Sequence, residues 1–241
     1  MQWVDEALIL DCGKYAEHAA IVHIFSREHG RYGGISKAAL SSRNRASYQP
    51  GNLVHATWKA RLPEHMGTVT CELVQSFSAP IMSDMLRLSA LSSACSLIRA
   101  CMPERDPHPA LYDALRHLML SIAHEENLVW QMAYARFELA LLRECGMGLD
   151  LSECAASGGT ESLVYVSPKS GRAVSAEAGK PYHDRLLPLP SFFILPCDAS
   201  GVEDIKDALQ LTGHFLDAYW MASHHKDLPA SRTRLVALLS R

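Results

Sequence analysis

The chain predicts an α+β protein, a small β-barrel followed by an α-helical domain. Three features carry this reading. Apolar residues alternate with period two only in the first 77 or so positions, helical spacing takes over from residue 80, and residues 128–146 form one long, almost wholly apolar run. A length of 241 residues can bury a full core without disulfides. With 48% hydrophobic and 20% charged residues, the composition is that of a globular protein.

The strands come first. Residues 7–11 and 19–25 are apolar and rich in β-branched side chains, and Gly13-Lys14 supplies the turn between them. Gly33-Gly34 open a third short strand through Ile35. Residues 53–61 alternate most cleanly, with Val54, Ala56, Trp58 and Ala60 on one face and His55, Thr57, Lys59 and Arg61 on the other. After a turn over residues 63–67, Val69, Cys71 and Leu73 alternate with Thr68, Thr70 and Glu72. Five short strands with one broad loop at 39–50 suit a small barrel such as the OB-fold. An SH3-like barrel gives a similar pattern, and periodicity does not choose between them.

The helices follow. Leu88, Leu91, Cys95, Ile98 and Met102 are spaced as on one helix, with Ser83 or Asp84 as its cap. The three prolines of residues 103–109 break it, and Pro109 opens a second helix carrying Leu111, Leu115, Leu118 and Ile122. In the run 128–146, Val129, Met132, Ala133, Ala135, Leu139, Ala140 and Leu142 spread around most of the circumference. Such a helix is buried on several sides, and Gly146 ends it. Arg136 and Glu138 near its middle make it too polar to span a membrane. Ile205, Leu209, Thr212, Leu216 and Tyr219 mark a long helix capped by Ser200, and Pro229 precedes a short one with Leu235, Leu238 and Leu239. Residues 149–196, rich in glycine and proline, read as an irregular insert.

Charge is unevenly spread. Net charge is −3, yet between residues 27 and 61 stand Arg27, Arg31, Lys37, Arg43, Arg45, Lys59 and Arg61, opposed only by Glu28. A basic segment inside an acidic chain points to a polyanion-binding face. Tyr32 and Tyr48 lie among these cations as candidate base-stacking platforms, while Trp58 is on the inward register. The N-terminus, with Asp5 and Glu6, is not a secretory signal, and seven scattered cysteines read as reduced thiols of a cytoplasmic chain. No nucleophile elbow, Walker loop, HExxH pair or Rossmann fingerprint occurs, so no catalytic residue is assigned. Cys154 has only Cys145, His183 and the distant Cys197 as conceivable co-ligands, too few and too badly spaced for zinc. His224-His225 and Lys226 suit a helix C-terminus.

Several stretches carry more than pattern: WVDEALIL, REHGRYGGISKAA, QPGNLVHATWKARLPEHMG, RLSALSSACSLI, ERDPHPALYDAL, RFELALLRECGMGLDLSEC, YVSPKSGRAVS and LPASRTRLVALL. In this order and over the full length, the chain resembles the bacterial RecO family of DNA repair proteins, in its branch with a degraded zinc module. The resemblance implies an N-terminal OB-fold over 1–79 and a helical domain over 80–241 that contains a degenerate zinc-finger-like insert at 149–197. It implies a recombination mediator, not an enzyme. Such a protein binds single- and double-stranded DNA and anneals complementary strands. It works with RecR, recognises the C-terminal tail of single-stranded DNA-binding protein, and helps load RecA.

Metal-binding members carry two CxxC pairs in the insert. Here those positions are Cys154, Ser157, Ser175 and Ala178, so no zinc is expected, and Tyr165, Val166, Leu186 and Leu187 are expected to hold the insert by packing. DNA contacts carry over to the seven cations named above, Arg31 and Lys37 foremost. Arg136 and Arg143 are candidates for the partner tail. The alternative is an adaptor that binds only proteins.

Overall fold

A computed structural model describes residues 1–62, 64–195, 201–222 and 227–240, without the side chains of residues 219–221. Pro63, Cys197, Ser200, His224, His225, Lys226 and the side chain of Tyr219 therefore lie outside the described residues. The chain divides into two compact units, Met1–His124 with Pro229–Leu235, and Glu125–Leu228 with Val236–Arg241.

In the first unit five strands close into a barrel: β1 (Gln2–Ala16), β2 (Ala19–Ser26), β3 (Gly30–Ser36), β4 (Leu53–Lys59) and β5 (Thr68–Gln75), in the order β1-β2-β3-β5-β4. This order is that of the OB-fold and decides between the two barrels that alternation left open. Closure rests on β1. Its first half, Gln2–Leu8, pairs with β4, while Ala7–Ala16 pairs with β2, and two register shifts bend the strand between them. The expected turn at Gly13-Lys14 is thus part of β1, and the chain reverses at Glu17-His18 instead. The barrel shuts where β3 meets β5 in a single parallel pair, Ile35 with Thr68. Gly34 permits that approach, because a Cβ there would stand 2.9 Å from Cβ of Val69.

Alternation on β4 is as expected: Val54, Ala56 and Trp58 are buried, while His55 and Lys59 are exposed. On β5 it fails at one point. Val54 pairs with Leu73 and Leu53 with Gln75, so Val74 is a bulge residue and both Leu73 and Val74 face solvent. Asn52, fully buried, ties the ends of β4 and β5 together. Its Oδ1 accepts from Ser76 Oγ, Phe77 N, Ser78 N and Ser78 Oγ at 3.0–3.3 Å, and its Nδ2 donates to the Ala46 carbonyl.

Helix α1 (Met85–Cys101) starts at Asp84, whose carboxylate accepts from Leu86 N and Arg87 N. Helix α2 (Pro109–His124) begins at proline and buries Leu111, Leu115, Leu118 and Ile122 completely. The linker between them lies along β3: Glu104 bridges Arg31, and the Arg105 N–H donates to the Arg31 carbonyl. Gly30, at φ +74, lets the Asp106 carbonyl pass where any side chain would stand.

In the second unit, α3 (Asn127–Glu144) buries residues on several sides, among them Trp130, Met132, Tyr134, Phe137 and Leu142, although Val129 is exposed. Its buried Glu138 accepts from the Thr212 hydroxyl of α5 (Val202–Phe215), which continues as a π-helical turn over Leu216–Met221. The insert is more ordered than its composition promised. Strands β6 (Leu163–Val166), β7 (Ala173–Ser175) and β8 (Leu187–Pro188) form a sheet in the order β7-β6-β8, and a short helix, α4 (Ala176–Gly179), follows β7. Tyr165 and Leu186 pack against Gly179, and Val166 is buried with Leu163, Ala173 and Leu189. Helix α6 (Ala230–Leu239) follows Pro229 and has residues in both units, with Leu235 buried in the first.

Candidate nucleic-acid interface

The seven cations do not share one environment. Two are held by the protein itself. Arg27 makes a two-pronged contact with Asp113 of α2, Nε to Oδ1 and Nη2 to Oδ2 at 3.2 Å each, and Nη1 reaches Glu28. Arg31 is half-buried: its Nε donates to the Met102 carbonyl at 3.0 Å and its Nη1 pairs with Glu104 at 3.1 Å. This fastens the α1–α2 linker to β3, so Arg31 is spent on structure.

The other five are exposed, and no carboxylate pairs with them among the described residues. Lys37 follows β3, Arg43 and Arg45 lie in the β3–β4 loop, Lys59 ends β4, and Arg61 begins the β4–β5 loop. Register relates two of them. Thr68 pairs with both Ile35 and Lys59, so Lys59 lies two strand spacings from β3, roughly 10 Å, and Lys37 is two residues beyond Ile35. The opposite end of the β4 outer face is not basic. There His55 sits between Glu6 of β1 and Glu72 of β5. The cations therefore form two groups at opposite ends of β4: Lys37, Arg43 and Arg45 lie after β3 and in the loop that leads into its start, and Lys59 and Arg61 lie at its end and in the loop that leaves it.

Lys14 belongs with the group of the β3–β4 loop and was hidden by the turn reading of Gly13-Lys14. It lines a cleft with Cys12 and Arg45. Burial and Asp11 push the Cys12 thiol up, while the nearby Arg45 guanidinium opposes them.

The two tyrosines are not stacking platforms. Tyr48 is buried, and its hydroxyl accepts from Cys71 N at 3.0 Å and bonds Ser36 Oγ at 3.2 Å. Tyr32 packs edge-on against Trp3 and Trp58 in the barrel core, under the Arg105 guanidinium at 5.5 Å. Trp58 is inward as expected, and its Nε1–H is shared between the carbonyls of Gly33 and Met66. Arg105 donates to the neighbouring His65 carbonyl, so the β4–β5 loop is held by two side chains before any ligand arrives.

In the second unit, Arg136 donates through Nε and Nη2 to the Phe192 carbonyl and lies 5.5 Å over its ring, whereas Arg143 is exposed near the end of α3. The four positions aligned with zinc ligands do converge. Ser175 N donates to Cys154 Sγ at 3.3 Å, Ser175 Oγ is 3.5 Å from that sulfur, and Ala178 N donates to Ser175 Oγ at 3.4 Å. Hydrogen bonds from Ser157, then from Ser175, hold the thiol of the buried Cys154 down to about 6, against the opposing effect of burial. One sulfur, two hydroxyls and a methyl do not suit Zn²⁺, which takes four thiolate, imidazole or carboxylate ligands.

A closed barrel of OB type, in one chain with a helical unit and a small sheeted insert, places the protein among α+β chains of the OB-fold class. Residues 1–77 match the family described as Recombination protein O N terminal, and residues 82–229 that described as Recombination protein O C terminal. The chain belongs to the RecO family, and with it to DNA repair and recombination rather than to enzymes. It is 47% identical to the DNA repair protein RecO of Rhodospirillum centenum, over 98% of this chain and 94% of the relative. Identity is 42% with the RecO of Rhodospirillum rubrum (100% and 97% covered) and 39% with that of Gluconacetobacter diazotrophicus (99% and 95%). Among the described residues no helix is long and apolar enough to cross a membrane.

Proposed function

We propose that this protein is a recombination mediator whose barrel holds DNA by its phosphates. The observation that carries the reading is the set Lys37, Arg43, Arg45, Lys59 and Arg61, exposed and without carboxylate partners among the described residues, in a chain of net charge −3. Cations that the fold does not consume remain available to a polyanion, and release of counterions drives such binding. Phosphate contacts position strands without reading sequence. Held by their backbones, two strands repel each other less while their bases stay free to pair, which is how a protein without catalytic groups anneals complementary DNA.

The barrel cations contact single strands and duplex alike. The helical unit serves partners: RecR, and the C-terminal tail of single-stranded DNA-binding protein, through which RecA is loaded indirectly onto coated strands. Arg143, exposed, is the stronger candidate for that tail, because Arg136 already satisfies the Phe192 carbonyl. We place the protein in the cytoplasm, with the nucleoid.

Annealing of two complementary fluorescent oligonucleotides tests the reading. Acceleration that fades as salt rises, and that persists on strands coated with single-stranded DNA-binding protein, is the expected result. No acceleration at any salt would leave an adaptor that binds only proteins.

A further inference from the structure

The cleft shared by Lys14 and Arg45 has a structure of its own. It encloses about 390 Å³ between the second half of β1 and the β3–β4 loop, a volume within the usual range for small-molecule sites, about 300–1,000 Å³. Period two on β1 builds one wall: Cys12 and Lys14 pair with the buried Val22 and Ala20, so both lie on the strand face that turns inward and meet the loop at the barrel's end. Ala39, Leu40 and Pro50 make the apolar wall. Tyr48 is fixed between them by its bonds to Ser36 and Cys71. Neither Lys14 nor Arg45 has a carboxylate partner among the described residues, and the nearest acid along β1, Asp11, is taken by Arg99 at 2.8 Å.

Two free cations beside an apolar wall suit an anion that carries a flat apolar group. We propose that this cleft binds a single deoxynucleotide, its phosphate between Lys14 and Arg45 and its base against Ala39, Leu40 and Pro50. The proposal rests on the DNA-binding reading above and goes beyond it, because cations that hold phosphates have no need of a pocket for a base. The nucleotide can come from a strand or be free, and the chemistry of the site is the same for both.

Cys12 reports occupancy, since it is half-buried and lines the cleft. The alkylation rate of Cys12, followed by peptide mass under mildly alkaline conditions, is measured in the full-length protein. The probes are deoxythymidine monophosphate, an oligothymidylate, and an oligomer of abasic residues that keeps the phosphates. A probe at about ten times its dissociation constant should slow alkylation about tenfold, by simple mass action. Cys145, half-buried in the other unit, is the internal control.

Protection by oligothymidylate, by the monophosphate or by both, with much weaker protection by the abasic oligomer, supports the site and tells strand from free nucleotide. In a Lys14→Ala/Arg45→Ala variant protection should be lost while Cys12 stays reactive. Equal protection by the abasic oligomer would overturn the proposal, since phosphates alone would then account for it. Binding of oligothymidylate by anisotropy with no change at Cys12 would overturn the pocket and leave phosphate binding by the barrel standing. No binding of oligothymidylate and no protection by any probe would overturn both.

Discussion

Arg31 and Lys37 flank the same two glycines on or just after β3, yet their substitution should give opposite phenotypes. Arg31→Ala removes a half-buried hydrogen bond to the Met102 carbonyl and an ion pair to Glu104, a partner that remains largely exposed. A charged hydrogen bond of this kind contributes about 1.5–3 kcal/mol, and a pair with one solvated partner adds at most about 1. The loss should be about 2 kcal/mol, which for a chain of this size lowers Tm by roughly 4–8 °C. DNA affinity should change little once the protein is folded. Lys37→Ala removes an exposed charge with no carboxylate partner among the described residues, so Tm should stay within about 1–2 °C. It should reduce the slope of log affinity against log salt by about 0.7–0.9, the share of one phosphate contact. Thermal unfolding and fluorescence anisotropy across a salt series measure both. An Arg31→Ala protein with unchanged Tm and a reduced slope would refute the division between structural and ligand-facing cations.

Three further outcomes are expected. Asn52→Ala should cost about 3–5 kcal/mol, because it leaves Phe77 N, Ser78 N and two hydroxyls without their shared acceptor; a smaller loss in denaturant unfolding would mean water replaces it. The lowered Cys154 thiol binds fewer protons folded than unfolded, so its contribution is full above pH 9 and disappears as pH falls through about 6. Unfolding of the wild type across that window should therefore show stability rising with pH, and Cys154→Ser should flatten the rise. Finally, Ser157→Cys/Ser175→Cys/Ala178→Cys should create a Zn²⁺ site beside Cys154, detected as one metal per chain and a rise in Tm on addition of zinc.

Much of this fold was legible in the sequence because side-chain period follows directly from backbone geometry. Residues 53–61 declared β4 and its two faces, and prolines and an aspartate marked the starts of α1 and α2. What escaped depended on partners distant in sequence. β1 runs through Gly13-Lys14 because β2 extends to meet it, and Leu73 faces solvent because one bulge shifts the register. The strands of the insert are four residues or shorter, too short for alternation to register. The basic segment was visible as composition, but which cations are free was not. Asp113 and Glu104, the partners that occupy Arg27 and Arg31, lie more than 70 residues away. Tyr32 and Tyr48 likewise look like platforms in a list of residues and are core in space.

The central claim is that the five barrel cations without carboxylate partners among the described residues hold DNA by its phosphates. It is tested most directly by the salt dependence of single-strand binding in the wild type and in a variant with Lys37, Arg43, Arg45, Lys59 and Arg61 all changed to Ala. Loss of five contacts predicts a slope shallower by about 3.5 in the variant than in the wild type. A variant that is folded and keeps the wild-type slope would show that DNA is held elsewhere.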